Sequence, residues 1–199
     1  YDENVFKVML VQFVSLKRGK EKVSMSTRSG EFETLADVIK EVGVDATRFF
    51  FLMRSSDTHL DFDLELAKKA SADNPVFYIQ YAHARICSIF RTATEQGIKL
   101  LDSVDIDLSP LKNEEEFLMI KKILSFTEII EKSAELLEVH RVAFYLQDLV
   151  GTFHRYYSRN RIVSDDHALS FARLFLMNCL RITICNGLSI MGVSSPERM

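Results

Sequence analysis

From Asn74 to Gly187 the apolar residues of this chain return every three or four positions, the period of helices that each bury one stripe. Ile79, Ala82, Ile86, Ile89 and Ala93 form one stripe, and Leu169, Ala172, Leu176, Leu180 and Ile184 form another, ending before Gly187. Asn74-Pro75 supplies a start signal for the first, a capping residue followed by proline at the first helical position. That helix is expected to run to Gly97, and residues 97–112, with Pro110 and several Asp, read as a loop. Helical patterns resume at 113–125, 127–138, 140–160 and 166–186. With only 7 Gly and 3 Pro among 199 residues, long regular elements are favoured over tight turns. The second part of the chain should be an α-helical bundle.

The first part reads differently. Residues 5–16 are rich in Val and Phe and suit a largely buried strand, which ends at the basic turn Lys17-Arg18-Gly19-Lys20 and is followed by a short return strand. A nearly all-apolar strand belongs to a parallel sheet covered on both faces, so this end is expected to be a truncated α/β domain. From Thr34 the period turns helical. Thr34 with Asp37 resembles a capping box, and Gly43 should stop that helix. Asp45 is expected to cap a second helix, with Val44 and Phe49 spaced as a hydrophobic staple, and Asp63 a third that runs to about Ser71.

Composition excludes several classes. Hydrophobic residues make up 47% and charged residues 27%, as in a soluble globular chain rather than a disordered one. No apolar run approaches the ~20 residues that cross a bilayer, so no membrane partner is expected. The start, Tyr1-Asp2-Glu3-Asn4, has neither an initiator Met nor a signal-like core and suggests a cut into a longer, non-secreted protein. Cys87, Cys179 and Cys185 lack Cys-x-x-Cys spacing and suit reduced thiols in a cytoplasmic protein, and the five His lack metal-ligand spacing, so no metal site is expected. Net charge is −3, but it is segregated: Lys112–Glu138 holds four Lys and seven Glu, whereas His140–Arg161 holds four Arg against the single Asp148. Such a distribution permits one basic face on an acidic body, and is equally that of solvated helix surface.

No catalytic constellation can be assembled; paired carboxylates (Asp61 and Asp63, Asp165 and Asp166) sit beside expected helix caps. Two features do carry chemistry. The stretch Val23-Ser24-Met25-Ser26-Thr27-Arg28-Ser29-Gly30 sets small hydroxyls, glycine and one guanidinium after a strand, which suits a phosphate-bearing ligand as well as a plain turn. Tyr78, Tyr81, His83 and Arg85 share one helix, with Tyr81 and Arg85 four apart on one face and His83 pointing elsewhere. Phe153, His154, Arg155, Tyr156, Tyr157, Arg159 and Arg161 end another. Interleaved Tyr and Arg is what an unstacked RNA loop requires, rings for bases and guanidinium for phosphates or base edges. The same residues would also serve as core tyrosines and solubilising arginines. A stand-alone RNA-binding or adaptor module and a protein-binding bundle both remain open on this ground.

The chain resembles the C-terminal part of bacterial-type arginyl-tRNA synthetases, class I aminoacyl-tRNA synthetases, over essentially all its length. Residues 24–28 match that family's Lys-Met-Ser-Lys-Arg signature, with Ser24 and Thr27 where the family has its two lysines. Further matches are Gly43 to Phe51, Arg54-Ser55-Ser56-Asp57, Leu60-Asp61-Phe62-Asp63, Asn74 to Arg85 and the ending Gly192 to Met199. The resemblance implies a mainly α fold, a helical bundle preceded by a short α/β remnant of a Rossmann catalytic domain. It divides the chain into a remnant at 1–33, a helical connector at 34–73 and a DALR anticodon-binding bundle at 74–199. It implies an arginine–tRNA ligase that uses ATP and Mg²⁺ through an arginyl-adenylate, monomeric, with arginine, ATP and an arginine-accepting tRNA as partners. The first signature motif and the arginine pocket fall outside this chain, so the piece alone is expected to be inactive. Met25, Ser26, Thr27 and Arg28 would be its ATP-contacting loop, with charge from Lys20, Lys22 or Arg28. Tyr81, His83, Arg85, Tyr157, Arg161 and Met199 would contact the tRNA.

Overall fold

The computed structural model describes residues 6–23, 33–98 and 106–199. Strands β1 (Val14–Arg18), β2 (Glu21–Lys22) and β3 (Leu60–Asp63) form a small sheet in the order β2-β1-β3. β1 pairs antiparallel with β2, Arg18 opposite Glu21, across a tight turn in which Gly19 takes φ +63°, a value that glycine adopts without steric cost. β1 pairs parallel with β3, Leu16 opposite Phe62. β3 was not expected as a strand. The strand expected at 5–16 is shorter too: only its end is paired, and Phe6, Leu10, Val11 and Phe13 lie open to solvent. An apolar run becomes a buried strand only where neighbouring strands and covering helices exist, and among the described residues none reaches 6–13.

Helices α1 (Leu35–Val42), α2 (Val44–Leu52) and α3 (Leu64–Lys68) pack on this sheet, with Phe50 and Phe51 of α2 against Phe62 at 5.3 and 5.6 Å between ring centroids. Thr34 and Asp37 form the expected capping box, and Gly43 ends α1 at φ +86°. Asp63 caps α3 through the amides of Glu65 and Leu66, and α3 ends at Lys68 rather than near Ser71. Two expectations fail. Asp45 does not cap α2, because α2 begins one residue earlier and its N-cap is Gly43; Val44 is exposed, so no staple with the fully buried Phe49 forms. Asn74 does hold the N-cap position of the next helix, but its amide turns back and donates to Ala67 O and Lys69 O, tying that helix to the end of α3.

The bundle comprises α4 (Pro75–Glu95), α5 (Glu114–Leu124), α6 (Phe126–Leu136), α7 (His140–Arg159) and α8 (His167–Ile190). α4 packs against α7, α8 and α2, and α5 against α7 and α8. Every member of the α4 stripe is buried, as are Ala172, Leu176, Leu180 and Ile184 of α8. α8 continues past Gly187 because a side chain there is what the packing forbids: a Cβ would lie 2.8 Å from a Leu146 methyl of α7. Contrary to the composition argument, α8 is long and apolar enough to cross a bilayer. It is instead the core helix of the bundle, with Leu174, Met177, Leu180, Ile184 and Leu188 fully enclosed.

One buried carboxylate joins three of these helices. Glu116, in the first turn of α5, is wholly enclosed. It accepts from Tyr156 Oη of α7 at 2.5 Å, from Arg173 Nε of α8 at 2.9 Å and from the Asn113 amide at 3.0 Å. Burial alone would push the carboxyl pKa up; the Tyr156, Asn113 and Arg173 contacts together outweigh it and hold the group below its ordinary range. Because the folded pKa is depressed, this stabilisation is complete above the usual carboxylate pKa and is lost as pH falls from there through the lower folded value. Glu116→Ala should therefore cost about 3–5 kcal/mol, the range for removing one partner of a buried ion pair. That corresponds to a Tm lower by roughly 10 °C in a chain of this size, measured by calorimetry at pH 7. The deficit should shrink as pH is lowered below ~4.

Candidate nucleic-acid interface

α4 and α7 lie side by side, and their exposed shoulders carry the aromatic and basic residues. Helical spacing places Tyr81 and Arg85 one turn apart on α4, and the Tyr81 hydroxyl accepts a hydrogen bond from Arg85 Nη2. α7 runs alongside α4 in the same direction, His154 beside Tyr78 and Tyr81, and so brings in Tyr157. The Arg85 guanidinium carbon lies 5.1 Å from the Tyr81 ring centroid and 5.3 Å from that of Tyr157, so one cation sits between two rings. All three are half-buried, with one side against the bundle and the other in solvent. The sandwich fixes a side chain that would otherwise sample many rotamers, and it orders both rings.

The ring array extends beyond these three. His154 packs on Tyr78 at 4.5 Å and stacks with Tyr81 at 6.0 Å; Phe77 also stacks with Tyr81 at 6.0 Å, and Phe153 with Tyr157 at 5.6 Å. Burial, with the nearby Arg85 charge adding to it, pushes the His154 pKa below its ordinary value, so the ring is neutral at pH 7. Burial likewise raises the Tyr78 hydroxyl. The surface therefore presents neutral rings around fixed cations, Arg85 within it and Arg155 beside Tyr78, held by Thr152 Oγ1 at 3.2 Å.

Beyond Tyr157 a cleft of about 410 Å³ opens between the end of α4 and the loop after α7, lined by Ile89, Thr92, Gln96, Tyr157, Asn160 and Arg161, among others. Arg161 also borders an adjoining cleft of about 380 Å³ with Gln96 and His167. The loop is held from beneath by the buried network: Arg173 Nη1 donates to Arg161 O at 2.7 Å, and Asn160 Nδ2 to Tyr156 O at 3.0 Å. The Arg161 side chain stays exposed.

Of the residues singled out from sequence, Tyr81, Arg85 and Tyr157 thus come together, with Arg161 bordering the same cleft as Tyr157. His83 does not join them. It is 4% exposed and lies on another face of α4, where its Nδ1–H donates to Pro196 O at 3.0 Å. The ring is thus enclosed and turned away from the Tyr81 shoulder. Met199 ends the segment that His83 holds, with its side chain 56% exposed. Tyr156 and Tyr145 are core residues whose hydroxyls meet Glu116 and Lys122 O. His154 belongs to the aromatic and basic run expected to end α7; Phe77 was not singled out, although the spacing of Phe77 and Tyr81 by four signals a shared face. Gln96 and Asn160 carry no such signal, since only the fold brings them to one cleft. Met25, Ser26, Thr27 and Arg28 lie outside the described residues. No group of three or more His, Cys, Asp or Glu among the described residues could hold a metal ion.

The DALR anticodon binding domain matches residues 79–199, which include most of α4, Tyr81, Arg85 and Tyr157, the cleft and the C-terminal segment. The chain belongs to the DALR anticodon-binding family. Arginine–tRNA ligases of Syntrophotalea carbinolica and Geobacter sp. strain M21 are each 53% identical to it, over 97% and 100% of this chain. The chain spans 35% and 36% of their respective lengths and corresponds to the C-terminal part of such enzymes. Among solved structures, a Campylobacter jejuni protein described as an arginyl-tRNA synthetase superposes with a TM-score of 0.83 at 32% identity, covering 96% of this chain and 40% of that one. Thermus thermophilus arginyl-tRNA synthetase superposes with a TM-score of 0.69 at 27% identity, covering 87% and 29%. The mainly α architecture, a DALR bundle preceded by a small α/β element, is shared with these relatives.

The geometry of the sandwich leads to a measurable expectation. Arg85→Ala should release both rings, while the bundle, held by the Glu116 network and the apolar stripes, keeps its unfolding free energy within about 1 kcal/mol, the ordinary range for a partly exposed position. Aromatic side-chain relaxation by NMR should show Tyr81 and Tyr157 more mobile in the variant and Tyr156 unchanged.

Proposed function

We propose that this chain is the tRNA anticodon-reading part of an arginine–tRNA ligase. The observation that carries the reading is the Arg85 guanidinium held between the Tyr81 and Tyr157 rings, on the surface of a bundle whose family is named for anticodon binding. A splayed anticodon loop would meet half-buried rings of this array, on whose exposed parts bases stack, worth about 1–3 kcal/mol each. Arg85 and Arg161 stand where phosphate oxygens or base edges would pass, and the 410 Å³ cleft beside Tyr157 is roomy enough for an extruded base. Met199, an exposed thioether at the chain end, offers a soft apolar contact for a further base. His83 contributes by holding the segment that carries Met199.

In the whole enzyme, ATP and Mg²⁺ would drive formation of an arginyl-adenylate and transfer of arginine to the tRNA. Within that reading residues 1–33 finish the catalytic domain, 34–73 connect and 74–199 read the anticodon, in a monomeric cytoplasmic protein. Met25, Ser26, Thr27 and Arg28 form its ATP-contacting loop. Support for these assignments comes from the similarity to arginine–tRNA ligases and from the signature-like sequence at 24–28.

The test is binding of the chain to an arginine-accepting tRNA anticodon stem-loop and to stem-loops with altered anticodon bases. Affinity should fall when those bases change and should decline with salt; equal binding to all stem-loops would overturn the reading. Tyr157→Ala should weaken binding by about 1–3 kcal/mol. Arg85→Ala should also lower the slope of log affinity against log salt by about 0.7 for each phosphate contact removed. In a full-length enzyme carrying this segment, Arg28→Ala should slow ATP–pyrophosphate exchange while leaving stem-loop affinity unchanged.

A further inference from the structure

The last nine residues have no regular secondary structure, and chain ends of that kind ordinarily fray. Here side chains of α2 and α4 grip the backbone step by step. Arg48 Nε of α2 donates to Met191 O at 3.0 Å. Gly192 follows at φ +64°, a conformation strained for any residue with a Cβ, and the Arg48 guanidinium packs close against it. At Ser194 the grip closes into a ring. Asp45 Oδ1 accepts from the Ser194 amide at 3.1 Å, and Asp45 Oδ2 accepts from Ser194 Oγ at 2.5 Å and from Gln80 Nε2 at 2.8 Å. Gln80 Nε2 also donates to Ser194 O at 2.9 Å. Farther on, His83 holds Pro196 O, and Arg91 Nη1 donates to Glu197 O at 3.2 Å.

Gln80, His83 and Arg91 lie within one sector of α4, so the segment is led along that helix toward its C-terminal half. Two residues beyond Glu197 comes Met199, whose large apolar side chain is left more than half exposed on a backbone that is not free to collapse onto the core. Asp45 is the one charged side chain in the ring at Ser194. It makes three hydrogen bonds there, and being ionised it makes them stronger than neutral partners would. It stands in the first turn of α2, where the helix dipole favours a carboxylate even though it caps nothing.

We propose that Asp45 is a positioning residue for nucleic-acid recognition: it latches Ser194 to α2 and α4 and so sets where Met199 is presented. The inference rests on the anticodon-reading role argued above. It assigns a specificity duty to a residue of the connector that touches no nucleotide, and it makes the connector and the bundle one unit at the chain end.

The experiment is a double-mutant cycle in the 199-residue chain, with Asp45→Ala and Met199→Ala read by affinity for the anticodon stem-loop. Each single variant should weaken binding to a similar extent, and the double variant no further, because a displaced Met199 is already lost. Ser194→Ala, at an exposed position where the fold is not at risk, should move affinity in the same direction by a smaller factor. A second readout needs no RNA: carboxypeptidase should release Met199 from Asp45→Ala roughly tenfold faster or more, given the loss of hydrogen bonds to a charged group. Unchanged release, or independent multiplication of the two substitutions, would overturn the latch. A chain that binds no stem-loop at all would overturn the anticodon reading instead, with the carboxypeptidase rates still deciding whether Asp45 holds the segment.

Discussion

The buried Glu116 carboxylate is the interaction on which the remaining architecture depends. A lone charge at that depth would be prohibitively costly, so its presence requires α5, α7 and α8 to arrive together with a hydroxyl, a guanidinium and an amide in register. That requirement selects one arrangement of helices whose apolar stripes would tolerate several. Its effect reaches the surface as well. Arg173, anchored on Glu116, also holds the Arg161 carbonyl, and Tyr156 brings its carbonyl to Asn160. The loop bordering the candidate base cleft is thus braced from the core.

Two neighbouring tyrosines show how one helix serves both purposes. Along α7 the buried positions Val142, Leu146, Leu149, Phe153 and Tyr156 recur at three- and four-residue intervals. Tyr156 ends that stripe and goes inside; Tyr157, one step of about 100° round, faces the shoulder where Arg85 waits. The core ring is fully enclosed with its hydroxyl committed to Glu116, while the surface ring is only half-buried, between Phe153 and Arg85. A cation between two rings costs little mobility on binding, since rings and guanidinium are already ordered, which is the condition for recognising a flexible loop without a large entropic loss.

The C-terminal segment follows another rule. It buries Met191 and Val193 but has no partner strand, and past Val193 its order comes from polar side chains reaching out of α2 and α4 to its carbonyls and amides. The anionic Asp45, placed where its own helix needs no cap, is spent on a residue at the far end of the chain. In the free-energy accounting of such a segment, hydrogen bonds to an ionised group replace what apolar burial supplies elsewhere.

What the sequence determined by itself is whatever depends on near neighbours. The stripes of α4 and α8, the capping box at Thr34 and Asp37, the cap at Asp63 and the pairing of Tyr81 with Arg85 all act within one helical turn, and each is where its spacing placed it. Resemblance to arginyl-tRNA synthetases added the family. Only the tertiary structure decided the rest. It exposed residues 6–13, since an apolar run is a buried strand only when other strands flank it. It moved His83 from the candidate surface to an enclosed post beneath Pro196, and turned Asp45 and Asn74 from caps into ties between elements. The physical reason is common to all of these. A polar or apolar side chain encodes what kind of partner it needs, but when that partner lies far along the chain, only the packing of whole helices brings it within bonding distance.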